Sequence, residues 1–128
     1  MFHLSLPVSA FSQCLDFYRD CFGAKVVLLD EKVANLYLFG GQLTLHDKPN
    51  SIMDANHRRE MHFGHVVTEQ DWFAIRNRLQ EAGQILLRCR EPDGEGQTRG
   101  KLLIMDPSGN IVEINSGLPP ANDRGTTL

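Results

Sequence analysis

The sequence predicts an α+β fold built from two copies of a βαβββ module, and three observations carry that expectation. Phe2-His3-Leu4-Ser5-Leu6-Pro7-Val8 is answered by Met61-His62-Phe63-Gly64-His65-Val66-Val67, each with His second and Val five residues later. Each copy is followed by a helical pattern that ends at a glycine, Gly23 or Gly83. After each helix come short runs of Val, Leu and Ile broken by turn residues, the mark of strands. The chain of 128 residues fits one domain. Its two modules cover about 1–47 and 61–115, with a polar connection at 48–60 and a loose tail at 116–128. His3 and His62 then occupy equivalent places.

Taken in order, 2–8 alternates, with Leu4, Leu6 and Val8 on one side and His3, Ser5 and Pro7 on the other. Residues 9–22 place Phe11, Leu15, Tyr18 and Phe22 on one helical stripe. Ser9 or Ser12 is the expected cap, and Gly23 sits where a C′ glycine belongs. Strands follow at 25–29, 33–39 and 42–46, with Gly40-Gly41 as a tight hairpin turn. The connection holds Pro49, Asn50, Asp54 and Asn56, and its His57 reads as a solvated residue.

The second half repeats the plan. Strand 62–67 leads into helix 68–82, where Thr68 and Asp71 form an approximate capping box. Trp72, Ile75, Leu79 and Ala82 form its buried stripe. A strand at 84–89 precedes a charged, glycine-rich loop at 90–100. Strands 101–105 and 111–115 then flank Asp106-Pro107-Ser108-Gly109, which has the residues of a type I turn.

Bulk properties exclude several functions. Net charge is −3 with no basic block, which argues against nucleic acid. No apolar run approaches the roughly 18 residues of a membrane span. The N-terminus shows no charged region followed by an apolar core, so no signal peptide is expected. Cys14, Cys21 and Cys89 form no CxxC pair. The first two are seven apart on a helix, about 10 Å along its axis, too far for a disulfide. They read as small buried hydrophobes in a reducing, cytoplasmic setting.

Strand parity locates the chemistry. In both first strands the Leu, Phe and Val side packs on the helix, so His3 and His62 face away, beside the small Ser5 and Gly64. Glu113 interrupts an apolar strand between Val112 and Ile114, which is costly unless it is paired or metal-bound. His46 closes the corresponding strand of the first half on its polar side. Two histidines and one carboxylate suit Fe(II) or Mn(II) with open positions. A fourth ligand at His46 shifts the expectation to Zn or Ni. His65 falls on the helix-facing side and reads as packed and hydrogen-bonded.

These residues carry a resemblance. His3-Leu4-Ser5-Leu6-Pro7-Val8, Asp16-Phe17-Tyr18 with Phe22-Gly23, the 61–67 strand, and Asp106-Pro107-Ser108-Gly109-Asn110-Ile111-Val112-Glu113 resemble the vicinal oxygen chelate superfamily. That superfamily includes glyoxalase I, fosfomycin- and bleomycin-resistance proteins and extradiol dioxygenases. The resemblance implies paired βαβββ modules forming a curled eight-stranded cup around a divalent metal. His3, His62 and Glu113 match its ligand positions. Glyoxalase-type members place a fourth ligand, Glu, on the strand that ends the first module, where this chain offers Gln42, Thr44 and His46.

Phe2-His3-Leu4, Phe39-Gly40-Gly41-Gln42 and His62-Phe63-Gly64 resemble small single-unit extradiol-dioxygenase-like proteins, in which His46 and Tyr37 would stand in for proton-transfer groups. The expectation is a metal-dependent enzyme, dioxygenase-like, acting on a small substrate with vicinal oxygens. The alternatives are a lyase, isomerase or transferase of the glyoxalase or fosfomycin-resistance type, or a non-catalytic binding protein like those of bleomycin resistance. Loop 90–100, with Arg99 and Lys101, is a candidate lid for an anionic substrate or a plain solvated connection. Superfamily members of this size pair, so a homodimer is expected, with the cup built within one chain or across two.

Overall fold

The computed structural model describes residues 1–93 and 98–117. Strand β1 (Phe2–Val8) leads into helix α1 (Phe11–Phe22), then β2 (Lys25–Leu28), β3 (Val33–Leu38) and β4 (Gly41–Asp47). The connection contains a 3-10 turn at Pro49–Ser51 and a short helix α2 (Ala55–Arg58). The second half runs β5 (His62–Val66), α3 (Glu69–Glu81), β6 (Leu86–Arg90), β7 (Lys101–Met105) and β8 (Ile111–Asn115). The strands form two four-stranded sheets, ordered β1-β4-β3-β2 and β5-β8-β7-β6. In each, the first strand pairs in parallel with the last and the other neighbours are antiparallel. This is the expected pair of βαβββ modules.

Local sequence accounts for the element ends. Gly23 and Gly83 take positive φ after their helices, a conformation open to glycine at little cost. Thr68 caps α3 by accepting from the Asp71 amide. Gly109 N donates to Asp106 O at 2.9 Å, closing the expected turn.

Ala82, expected in the buried stripe of α3, is exposed as its C-cap because the helix ends at Glu81, and four further details differ from the sequence expectation. The N-cap of α1 is Ala10, whose φ is 48° and which makes no side-chain cap hydrogen bond. Ser9 is diverted to the other half, where its amide donates to Ser108 Oγ at 2.9 Å. The hairpin turn is Phe39-Gly40, with φ of 55° and 69°, as a type I′ turn requires, and Gly41 belongs to β4. Phe39 holds this conformation with its ring against Phe22 and His65, at centroid distances of 5.3 and 5.2 Å. Finally, β6 starts at Leu86, has a register irregularity between Leu86 and Arg88, and takes in Arg90.

The fourth difference is the buried stripe of α1, which is Cys14, Phe17, Tyr18 and Cys21. Phe11, Leu15 and Phe22 are only partly buried. The rotation arises because α1 packs on two surfaces, its own sheet and the second half. Tyr18 Oη donates to Asp106 Oδ2 at 2.7 Å, and its ring lies 6.3 Å from that of Phe63. One apolar core therefore includes Leu36, Leu43 and Leu45 from the first sheet and Leu102, Ile104 and Ile114 from the second. Trp72 is fully buried in it and donates its indole N–H to Ile114 O.

The second sheet depends on one close approach. A Cβ added at Gly64 would overlap the backbone carbonyl oxygen of Glu113, its partner across β5 and β8. Only glycine lets the two strands lie this close. Gly64→Ala is expected to push β5 off β8 and to destabilise the protein by about 1–3 kcal/mol, the range for overpacking, measured by urea unfolding.

Burial also makes stability fall in alkali. The fully buried Cys14 thiol is pushed up from 9.0 to about 12, first by burial and then by the Asp106 charge. Below pH 9 this thiol is neutral whether the chain is folded or unfolded, so its contribution is fully present. As pH rises from 9 towards 12 the unfolded thiol ionises first, and the contribution is lost. Urea unfolding followed upward from pH 9 is expected to show a shallower loss for Cys14→Ala than for the unsubstituted protein.

Candidate metal centre

The sheet faces turned away from the helices carry the polar residues, and the strand register sorts them into rows. On the first sheet, His3 lies beside Gln42 and Gln42 beside Tyr37. Gln42 Nε2 donates to Tyr37 Oη at 3.0 Å. The next row is Ser5, Thr44 and Asn35, in which Thr44 Oγ1 donates to Asn35 Oδ1 at 2.7 Å. His46 stands beside Pro7, four residues along from His3, or about 13 Å of strand. His46 and His3 thus share a face and occupy opposite ends of it.

On the second sheet one row is Gly64, Glu113, Leu103 and Arg88, and the next is Val66, Asn115, Lys101 and Arg90. Glu113 is largely enclosed, with its side chain 12% exposed, and its two oxygens have different partners. His62 Nε2 is 2.9 Å from Oε2, and Lys101 Nζ is 3.1 Å from Oε1. Gly64, directly opposite Glu113 on β5, has no side chain to intervene. His62, Gly64, Val66, Glu113 and Asn115 line one open cleft. A carboxylate this enclosed, in contact with an imidazole and an ammonium, is compensated in the way a buried charge requires.

An imidazole nitrogen and a carboxylate oxygen side by side fit two donors of a divalent-metal site. Among the described residues no group of three His, Cys, Asp or Glu side chains that could hold a metal is formed. The structure brings His62 and Glu113 together and does not bring His3 or His46 to them within the chain. Tyr37 is half-buried in the His3 row. His65, expected to be packed and hydrogen-bonded, is exposed and leans on the Phe39 ring, and no side-chain hydrogen bond joins its imidazole to another described residue. Burial lowers its pKa from 6.5, against the pull of Asp71. His57 is exposed, as expected, and pairs with Asp54 at the start of α2.

Loop 90–100 lies partly outside the described residues, as does the tail beyond 117. Arg99 is described, and its Nε donates to Ser116 O at 2.7 Å. Lys101 points at Glu113 from within β7. That placement was available from the turn at 106–109, which pairs Met105 with Ile111. Counting back puts Leu103 opposite Glu113 and Lys101 one diagonal step away on the same face, within reach of a long side chain.

A second, mainly apolar cavity of about 270 Å³ lies between β1 and β5. Phe2, Leu4 and Leu6 line one side, and Met61 and Phe63 the other. Both strands are sheet edges, and Phe2 and Met61 are 74% and 52% exposed.

The comparisons agree with this fold. Metallothiol transferase FosB of Shouchella clausii (strain KSM-K16) is 27% identical over 117 residues, covering 90% of this chain and 78% of that protein. Among solved structures, a glyoxalase/bleomycin resistance protein/dioxygenase from Alicyclobacillus acidocaldarius superposes with a TM-score of 0.70 at 22% identity, covering 91% of this chain and 89% of the other. A variant of the fosfomycin resistance protein FosX from Listeria monocytogenes, complexed with Mn(II) and 1S,2S-dihydroxypropylphosphonic acid, gives 0.72 at 13% identity and 92% of each chain. The two structural likenesses speak for the fold. Residues 1–114 match the Glyoxalase/Bleomycin resistance protein/Dioxygenase superfamily, and the chain belongs to that superfamily.

Proposed function

We propose that this protein is a divalent-metal-dependent enzyme that works as a homodimer on a small substrate with vicinal oxygens. The observation that carries this reading is the His62–Glu113 pair, with nitrogen and oxygen 2.9 Å apart on one sheet face. The equivalent histidine, His3, stands on the other sheet. His62 and Glu113 of one chain and His3 of a second chain complete the donor set. The exposed apolar edges β1 and β5 are surfaces that a second copy would cover. When bound, the metal supplies Lewis-acid polarisation of a substrate oxygen or, as iron, activation of dioxygen.

The chain's own side chains do the rest. Lys101 keeps Oε1 of Glu113 engaged and presents positive charge to the cleft, with Arg88 and Arg90 beyond it on the same face. Tyr37, held by Gln42, is placed to hydrogen-bond a substrate oxygen near His3. His46 serves as an acid/base group at the far end of that face and not as a fourth ligand, because it lies about 13 Å from His3 along the strand.

Thiol transfer of the fosfomycin-resistance type is the better supported reaction, through the likeness to FosB over 90% of the chain. Ring cleavage keeps the support of the Phe2-His3-Leu4 and His62-Phe63-Gly64 runs. Protein purified without chelator is expected to carry about one Mn or Fe per chain, lost in His62→Ala and Glu113→Ala. Absence of any metal, with no binding after addition of Mn, Fe, Ni or Zn, would overturn the proposal. Thiol consumption with fosfomycin, set beside oxygen uptake with catechol, separates the two reactions.

Mixing the chains tests the shared site. A heterodimer of one His3→Ala chain and one Glu113→Ala chain keeps a single intact donor set if the site spans two chains, and none if it is built within one. About half the wild-type metal content is expected in the heterodimer, read by elemental analysis of doubly tagged protein.

A further inference from the structure

We propose that Lys101 is a movable counter-charge, handed from Glu113 to the Asn115 side-chain oxygen when a divalent cation takes the carboxylate. The inference rests on the metal reading above and assigns the site a determinant of metal affinity that is not itself a ligand. Two independent observations support it. The first is the pairing of Lys101. Its direct cross-strand neighbour is Asn115, yet its ammonium reaches diagonally to Glu113 Oε1 at 3.1 Å. The second is Asn115 Oδ1, which is buried and has no hydrogen-bond partner among the described residues. A buried carbonyl without a donor is a rare feature that calls for a reason.

The geometry connects the two. Glu113 and Asn115 are two residues apart on β8, on the same face and about 7 Å apart. A lysine has a flexible four-carbon stem and three rotatable donors, so one side chain serves both positions. A divalent cation held by His62 and Glu113 would add positive charge on the carboxylate that Lys101 contacts and would repel the ammonium. Asn115 lines the same cleft, its buried Oδ1 is the next side-chain acceptor along β8, and the remaining charged side chains of these rows, Arg88 and Arg90, offer no acceptor. Without metal, the ammonium neutralises a largely enclosed carboxylate. With metal, it satisfies the Asn115 oxygen and stays beside the cleft as a cation.

The test is calorimetric titration of the purified 128-residue protein with Mn(II) alone, for wild type, Asn115→Leu, Lys101→Met and the double variant. Asn115→Leu is expected to weaken Mn(II) binding about tenfold while Lys101 is present, a size typical of coupling between touching groups. The same change in the Lys101→Met background is expected to do nothing, and Lys101→Met alone should bind Mn(II) at least as tightly as wild type. Asn115→Val, smaller than leucine and likewise without an acceptor, should follow Asn115→Leu in both backgrounds. An equal effect in the two backgrounds means a structural role for Asn115 and overturns the handover, as does no effect in either. Glu113→Gln separates the two levels. Unchanged Mn(II) affinity in that variant overturns the metal reading itself, and the handover with it. Loss of binding in Glu113→Gln with no background dependence at Asn115 overturns the handover alone.

Discussion

The arrangement depends on one buried carboxylate. Asp106 is 3% exposed and accepts four hydrogen bonds: from Tyr18 Oη, from the backbone amides of Ser108 and Asn110, and from Asn110 Nδ2. An enclosed negative charge is tolerated only when it is satisfied in this way. Three of the bonds shape the turn between β7 and β8. The fourth comes from α1 in the other half of the chain. The same carboxylate therefore sets the β7–β8 register, which puts Lys101 within reach of Glu113, and anchors the first helix on the second module. Arg58 closes the turn from outside, donating to Ser108 O and Asn110 Oδ1, so the connection between modules is tied to the same point.

Much of this was legible in the sequence because the signals were local. Alternation in 2–8 and 62–66 gave strands and the face of each histidine, glycines marked the helix ends, and Asp106-Pro107-Ser108-Gly109 gave its turn. The misread features answer to distant partners. Ser9 does not cap α1 because it meets Ser108, 99 positions away. Cys14 and Cys21 replace Phe11 and Leu15 in the buried stripe because the helix serves two surfaces. The hairpin was misplaced by one residue because two glycines in a row hide which of them turns. Phe39, a residue with little reason to take positive φ, is held there by the rings of Phe22 and His65. That single step decides whether Gln42 or Thr44 stands beside Tyr37.

The site was legible only in part, and for a related reason. Parity placed His62 and Glu113 on one face correctly, and the parallel β5–β8 register then brought them together. Parity alone says nothing about the distance between two sheets, so the relation of His3 to that pair was open. The scaffold does not fix the reaction, since one fold of this kind carries many chemistries. What singles out this chain is the setting of Glu113: a glycine beside it, an imidazole on one oxygen and an ammonium on the other.

The parallel pairing of first strand with last has a consequence for how the chain reaches its fold. In each half the β2–β3–β4 or β6–β7–β8 meander is local and closes early, whereas β1 and β5 must return across an intervening helix and two strands before they dock. Such non-local pairings form slowly. During that interval β4 and β8 each present an open edge that accepts the leading strand of any copy of the chain. Concentration during refolding then governs whether a strand docks in its own sheet or in a neighbour's.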